Sequence, residues 1–280
     1  MSIKDFFWFY LSLVSSVIVL TAVFYVLERL APAEPDQTIS KRLFNSTYYP
    51  FLLGWLLLLQ LVLAPAYSYF LRVSGGGLLS KLLNPPRGFV AQFLFALVFA
   101  VAWDFWQYWI HRLQHAWPML WETHKFHHSE TALNSSAQAR QHFLNAILFA
   151  VLYIPLLILF GWLTPHFVAS FLMFRVWGFV NHANLRLHFG SLTPLISSPQ
   201  WHRIHHSVFA QHHDKNFAAF FPFIDLLFGT YYRPQKDEYP PTGLSPEQYS
   251  GNLREATVAP LAGLYQLMLG RARQLQNPER

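Results

Sequence analysis

Residues 88–115 read GFVAQFLFALVFAVAWDFWQYWIHRLQH. From Gly88 to Ile110 the only charge is Asp104. As a helix this run measures about 35 Å, enough to cross ~30 Å of hydrocarbon. It ends on His111-Arg112-Leu113-Gln114-His115, and positions four apart share a helical face. The stretch reads as a membrane helix that delivers two imidazoles on one side where it leaves the bilayer.

The rest of the chain fits that reading. Only 12% of its 280 residues are charged, against ~25% in soluble domains, and 53% are hydrophobic. So little charge cannot cover the surface of a soluble protein of this size. Phe6–Leu27 is another uncharged run, long enough to span. Leu43–Leu71 is a longer one, which Pro50 and Pro65 are expected to trim or kink. Phe143–Phe174 is the longest stretch without Asp, Glu, Lys or Arg. Gly161 and Pro165 interrupt it, so it reads as two apolar arms joined by a tight turn, the second short enough to be re-entrant. The first run is too long for a signal-peptide core, and no small-residue cleavage site follows it. The absence of cysteine excludes a disulfide framework, a thiolate nucleophile and iron–sulfur ligands. A net charge of +6 in so apolar a chain suits an anionic membrane face, and no nucleic-acid partner is expected.

Linkers at Ala31–Arg42 and Arg72–Arg87 leave two polar blocks, His111–His142 and Asn181–Arg280, which hold every histidine except His166. If both blocks share a side with the Ala31–Arg42 loop, that side has fifteen Lys and Arg against four opposite, Arg175 being left out. The positive-inside rule then puts the histidines in the cytoplasm. The expected architecture is all-α and polytopic, with about four transmembrane helices or hairpins and a cytoplasmic helical cap holding a dimetal site. Three regions are expected. Residues 1–87 form N-terminal transmembrane helices and a linker, 88–233 a histidine-cluster catalytic core, and 234–280 an interfacial tail. In that tail Leu261, Leu264, Leu267 and Met268 recur at helical spacing.

Fourteen histidines are present, and most are clustered. After His111 and His115 come His124-Lys125-Phe126-His127-His128 and, much later, His202-Arg203-Ile204-His205-His206. Positions i, i+3 and i+4 project from one side of a helix. At this histidine content one such triplet is expected by chance roughly 0.03 times, so two are not accidental. The clusters total eight histidines, and His182 could make nine. A structural zinc takes four ligands, so eight or nine imidazoles imply two metal ions. Imidazole suits iron, zinc, copper and nickel and does not choose among them.

At these residues the chain resembles the fatty acid hydroxylase / sterol desaturase superfamily of integral-membrane, non-haem di-iron oxygenases. The resemblance rests on Asp104-x3-Tyr108-x2-His111-Arg112-x2-His115, His124-x2-His127-His128 and Ser198-Pro199-x2-His202-Arg203-x-His205-His206. It continues in Asp214-Lys215-Asn216-Phe217 and Asp225-Leu226-Leu227-Phe228-Gly229-Thr230-Tyr231. It covers roughly residues 88–233. It implies His111, His115, His124, His127, His128, His202, His205 and His206 as ligands to two iron ions, with His182 as the best match to a further family ligand. It also implies O2 as co-substrate and a membrane lipid, of sterol or fatty-acyl type, as the molecule hydroxylated or desaturated. Zinc can replace iron in a purified sample. The chain has no Gly-x-Gly-x-x-Gly fingerprint and no cytochrome-like domain, so electrons are expected from a separate reductase through an electron-transfer protein. One departure is Arg140-Gln141-His142-Phe143, where many members have Pro after His. His142 is therefore read as a helix-start histidine rather than a ligand, and His188 is not required by the pattern.

Other groups carry weaker signals. Asp104, an acid inside an apolar run, is expected to orient a ligand histidine from another helix, because metal-bound imidazoles donate their second N–H to such partners. Asp214, Asn216 and Asp225 are candidates for the same outer role. His166 is expected to pack in the hairpin turn. His212 and His213 are expected in a solvated loop. Trp103, Trp106, Trp109, Trp117 and Trp121 are expected as an interfacial belt. The competing function is a membrane zinc-dependent hydrolase, but His-Glu-x-x-His is absent and neither triplet contains a glutamate. A metal transporter would line a path through the membrane, whereas these clusters sit on one side. A paired-histidine haem protein would leave at least six clustered histidines unused.

Overall fold

The computed structural model describes residues 3–35, 37–79, 88–161, 165–244 and 252–270. It is built of helices α1 (Ile3–Glu28), α2 (Ile39–Ser74), α3 (Phe89–Ala116), α4 (Pro118–His128), α5 (Phe143–Leu152), α6 (Ile154–Phe160), α7 (Pro165–His182), α8 (Pro199–His205), α9 (Phe223–Phe228) and α10 (Leu253–Met268). Three short 3-10 turns join them, at Ser135–Ala139, Gly190–Leu192 and Ala210–His212. Among the described residues there is no strand, only one isolated bridge between Ser207 and Thr242. The all-α expectation holds.

Among the described residues, four segments are long and apolar enough to cross a membrane: Phe7–Glu28, Ile39–Ser74, Phe89–Ala116 and Phe143–Phe160. Their outward faces are bare hydrocarbon, with Val19, Val62, Phe89 and Val90 all exposed by 60% or more. In water that surface would aggregate, whereas in a bilayer it is the lipid contact. This is an integral-membrane architecture. The α5–α6 arm breaks at Tyr153, where Pro155 begins the next helix. The second arm, α7, runs on past Phe174 to His182 and is longer than expected, because its polar end belongs to the histidine cap rather than to the membrane.

α2 differs from expectation. It passes through Pro50 and Pro65 as one helix of 36 residues. At about 54 Å it exceeds the hydrocarbon thickness. The surplus supports the cap. Asn45 donates to Glu130 (3.0 Å) and Ser136 (3.1 Å), Tyr48 Oη to the Gln141 carbonyl (2.9 Å) and Trp55 Nε1 to the Phe143 carbonyl (3.0 Å). Buried Glu28, ending α1, accepts the backbone N–H groups of Ser135 (2.8 Å) and Asn184 (2.9 Å) and pairs with Arg42. These buried carboxylate and amide contacts fix the 129–141 loop against α1 and α2. Apolar packing continues the same axis through Val17, Phe24, Tyr49, Leu53 and Phe179.

On the face away from the histidines, the chain after α2 touches the hairpin turn backbone to backbone. A Cβ on Gly77 would stand 2.6 Å from Gly161 N, and Gly161 itself has φ 76°. Gly161→Ala should therefore cost about 1–3 kcal/mol from this essentially glycine-only backbone region alone, with the collision against Gly76 added. A lowered melting temperature in detergent checks this, and an unchanged one would contradict the contact.

The C-terminal helix α10 lies on α4. Its buried face is Ala256, Pro260 and Gly263, and Gly263 leaves room for the Glu122 carboxylate. Leu261, Tyr265 and Met268 face outward, as an interfacial helix requires. Residues 245–251 and 271–280 of the expected tail lie outside the described residues.

Candidate metal centre

Four helix ends converge on the site. The C-terminal turn of α3 brings His111 and His115, and that of α7 brings His182. α4 starts with Pro118 at its first turn and ends in His124, His127 and His128. α8 is only seven residues long, but Ser198 caps it by accepting the Trp201 N–H and Pro199 pre-sets its first turn. It presents His202, His205 and His206.

The nine expected histidines come together, and they sort into two groups able to hold a metal ion. His111, His115, His124, His128 and His205 form one, and His127, His182, His202 and His206 the other. Within each group one ligand atom per residue lies within 4.8 Å of all the rest. Neighbouring Nε2 atoms stand 3.1 Å apart for His115–His128 and 3.2 Å apart for His127–His182, His182–His202 and His202–His206. Metal–nitrogen bonds of about 2.0–2.3 Å at right angles would place adjacent donors about 2.8–3.3 Å apart, so the spacing suits a metal polyhedron. The triplets do not each serve one group. His124 and His128 fall in the first and His127 in the second. His202 and His206 fall in the second and His205 in the first.

The tautomers point the same way. His111 Nδ1 bonds the Phe217 carbonyl at 2.9 Å, His205 Nδ1 the Lys215 carbonyl at 2.7 Å and His182 Nδ1 the Gly178 carbonyl at 2.7 Å. A carbonyl can only accept, so the proton is on Nδ1 and the Nε2 lone pair faces inward. The Nε2 atoms of His111 and His205 are buried with no hydrogen-bond partner among the described residues. Inward lone pairs with no donor to meet them are what a cation would satisfy, so these residues fit a metal. Burial, reinforced by the neighbouring imidazoles, pushes His127, His128, His202, His205 and His206 well below the ordinary 6.5. They are neutral at physiological pH, the state in which imidazole ligates.

The outer residues work mostly through backbone. Asp214 meets one of the nine histidines directly, its Oδ1 3.3 Å from His115 Nδ1. Asp104 does not orient a histidine. Its carboxylate accepts the N–H groups of Ala219 (2.8 Å), Phe220 (2.9 Å) and Phe221 (2.6 Å). Asp225 accepts those of Phe217 (2.8 Å) and Ala218 (2.9 Å) and the Thr230 hydroxyl (2.7 Å). Together they clamp five consecutive amides, and the clamped segment supplies the Phe217 carbonyl that sets His111. Asn216 accepts from Tyr232 N–H at 2.8 Å and donates to the Trp201 carbonyl at 3.1 Å. Asp214 and Asn216 both take positive φ, which these residue types tolerate, and so turn the chain beneath His205.

Among the described residues, His142, His188, His212 and His213 lie outside both groups. His142 caps α5 and bonds the Thr257 carbonyl through Nε2 at 3.2 Å. His188 is exposed and His213 half-buried. His212 departs from the solvated-loop expectation. It is buried between Ser207 Oγ (2.9 Å) and Glu238 (3.1 Å), because the chain from 235 to 242 folds back over it. His166 begins α7, and its side chain lies outside the described residues. Trp121 sits over His115 and His128, while Trp103 is buried in the membrane core, so the tryptophans are not one belt. Gln141, whose amide meets His127 Nδ1 at 3.1 Å, carries no sequence signal beyond its place before His142.

The sequence profile of the fatty acid hydroxylase family matches residues 96–230. The chain is 32% identical over 129 residues to alkylglycerol monooxygenase of Homo sapiens, a stretch covering 46% of this chain and 28% of that protein. It is 31% identical over 147 residues to the alkylglycerol monooxygenase of Danio rerio, covering 49% and 32%. It is 30% identical over 165 residues to ornithine lipid hydroxylase OlsE of Rhizobium tropici, covering 59% and 49%. The chain thus spans less than half the length of each of these curated relatives. No solved structure matches it. The matched span, 96–230, contains all nine histidines and the acids that clamp their backbone, so the whole site lies within the likeness to the fatty acid hydroxylase family.

Proposed function

We propose that this protein is a membrane-bound di-iron oxygenase that hydroxylates a C–H bond of a membrane lipid. One oxygen atom of O2 enters the substrate, the other leaves as water, and two electrons with two protons come from a separate electron-transfer protein. The observation that carries this reading is the sorting of nine buried histidines into groups of five and four where membrane helices end. The matched relatives are named as a monooxygenase and a hydroxylase, which favours hydroxylation over desaturation.

Once bound, the metal pair would supply dioxygen activation and the oxidising power to break an unactivated C–H bond. The chain's own residues do the rest. The carbonyls of Phe217, Lys215 and Gly178 hold three imidazoles in the ligating tautomer. Asp104 and Asp225 keep the first of those carriers still. Trp121, Phe217 and the histidine rings themselves exclude water. A hydrolase would need a carboxylate base facing the metals, but Glu122 pairs with Lys125 and Glu130 is held by Asn45 and Arg140.

Iron-supplemented protein should carry two metal ions per chain by elemental analysis. Unsupplemented samples should carry zinc in part, because zinc outranks ferrous iron for nitrogen ligands. A single metal per chain at saturation would contradict the reading. We also propose that the histidine side faces the cytoplasm. Site-directed labelling should then place positions 124 and 280 on that same side, and labelling of the two from opposite sides would refute the arrangement.

A further inference from the structure

Arg175 directly follows the apolar run Phe143–Phe174, which assigns it to neither side of the membrane. On α7 it precedes His182 by seven positions, so the two share a helical face about 10 Å apart along the axis. Among the described residues its guanidinium makes no hydrogen bond and no ion pair. It lies over the Tyr49 ring, 5.2 Å from the centroid. Tyr49 is only 5% exposed, and its hydroxyl has no hydrogen-bond partner among the described residues. Both side chains line a cavity of about 150 Å³ between α2, α5 and α7. Gln138 and Gln141 add amides to the lining, and Leu56 and Phe149 add apolar side chains. Gln141 is also the partition between cavity and metal centre, since its amide meets His127 Nδ1.

A cation at this depth without a counter-ion is costly, and chains that keep one have a partner for it. The donors gathered here are a planar guanidinium fork, a hydroxyl and two amides, set against hydrocarbon. That combination matches an oxyanion attached to a hydrocarbon chain. We infer that the cavity binds the anionic headgroup of the lipid substrate, a phosphate or carboxylate, through Arg175 and Tyr49. The inference rests on the lipid-oxidation reading and adds the substrate class to it. A cavity of about 150 Å³ takes a benzene-sized group, so it holds the headgroup and first carbons only. The carbon offered to the metals past Gln141 is then close to the headgroup.

The test is binding to iron-loaded protein in detergent without reductant. The probes are a short-chain phosphatidic acid, a short-chain fatty acid, the corresponding diacylglycerol and inorganic phosphate. At least one anionic lipid should bind about tenfold or more tighter than the diacylglycerol. Arg175→Gln should erase that difference and Arg175→Lys should restore most of it. Tyr49→Phe should weaken the anionic lipid about 3- to 10-fold while leaving the melting temperature unchanged, because the hydroxyl has no partner to lose among the described residues. Diacylglycerol binding as tightly, or anionic binding indifferent to both Arg175→Gln and Tyr49→Phe, would overturn the inference. So would inorganic phosphate binding as tightly as the anionic lipid, which would make this a site for a free ion. Product is sought in a separate assay with reductant and O2, where selective binding without any oxidised product would sink the oxygenase reading alone. Turnover with indifferent binding would sink this inference alone.

Discussion

Replacing His127 or His205 with Ala should abolish lipid oxidation while the protein still inserts, and the two variants should differ in metal content. His127 belongs to the group of four, so its loss leaves three ligands there. His205 belongs to the group of five, so its loss leaves four, still a full set for a tetrahedral ion. Metal per chain should therefore fall toward one in His127→Ala and stay nearer two in His205→Ala. His188→Ala, at an exposed position, and His166→Ala, at the start of α7, should keep both metal and product. Elemental analysis beside lipid mass spectrometry reads both quantities. Equal damage from His188→Ala would place the centre elsewhere.

Asp104 should be the most damaging position to change outside the nine histidines, and Asp104→Asn should already show it. The carboxylate receives three backbone N–H groups, two of them on one oxygen. An amide in its place keeps one oxygen and turns an NH2 toward a buried donor. Leaving one buried N–H unmet costs about 1–3 kcal/mol. The slackened segment carries the Phe217 carbonyl that holds His111 Nδ1. Losses of this indirect kind typically run about 10–100-fold in metal affinity or activity. Inserted Asp104→Asn protein should therefore lose metal more readily, and excess iron should recover part of its activity. Asp104→Leu, which forfeits all three acceptors, should not be recovered. Unaltered metal retention in Asp104→Asn would mean that the clamp does not reach the centre.

Much of this is legible in the sequence because the chemistry is crowded into a few positions. Uninterrupted apolar runs mark the membrane helices, and the spacing of His124, His127 and His128 puts ligands on one side of a helix. The spacing does not say that His127 parts from His124 and His128. Positions 127 and 128 point about 100° apart on a helix, and which metal each meets depends on where α7 and α8 stand. The setting of Asp104 marks it as functional, but its partners are backbone amides, which no side-chain pattern records. The same holds for the Phe217, Lys215 and Gly178 carbonyls. His212 reads as a solvated residue because its cover comes from residues near 238, a contact that local sequence cannot anticipate. The prolines of α2 do not end the helix, since neighbouring helices hold its backbone in place and outweigh the local penalty.

The central claim is that the nine histidines hold metals that insert oxygen from O2 into a lipid. It is tested most directly by supplying membranes of cells expressing the protein with isotope-labelled dioxygen in unlabelled water, then analysing the lipids. A lipid that gains one heavy oxygen atom with the native protein, and not with His127→Ala, is the result expected. New hydroxyl oxygen drawn from water, or a labelled lipid that forms equally in His127→Ala membranes, would contradict the account.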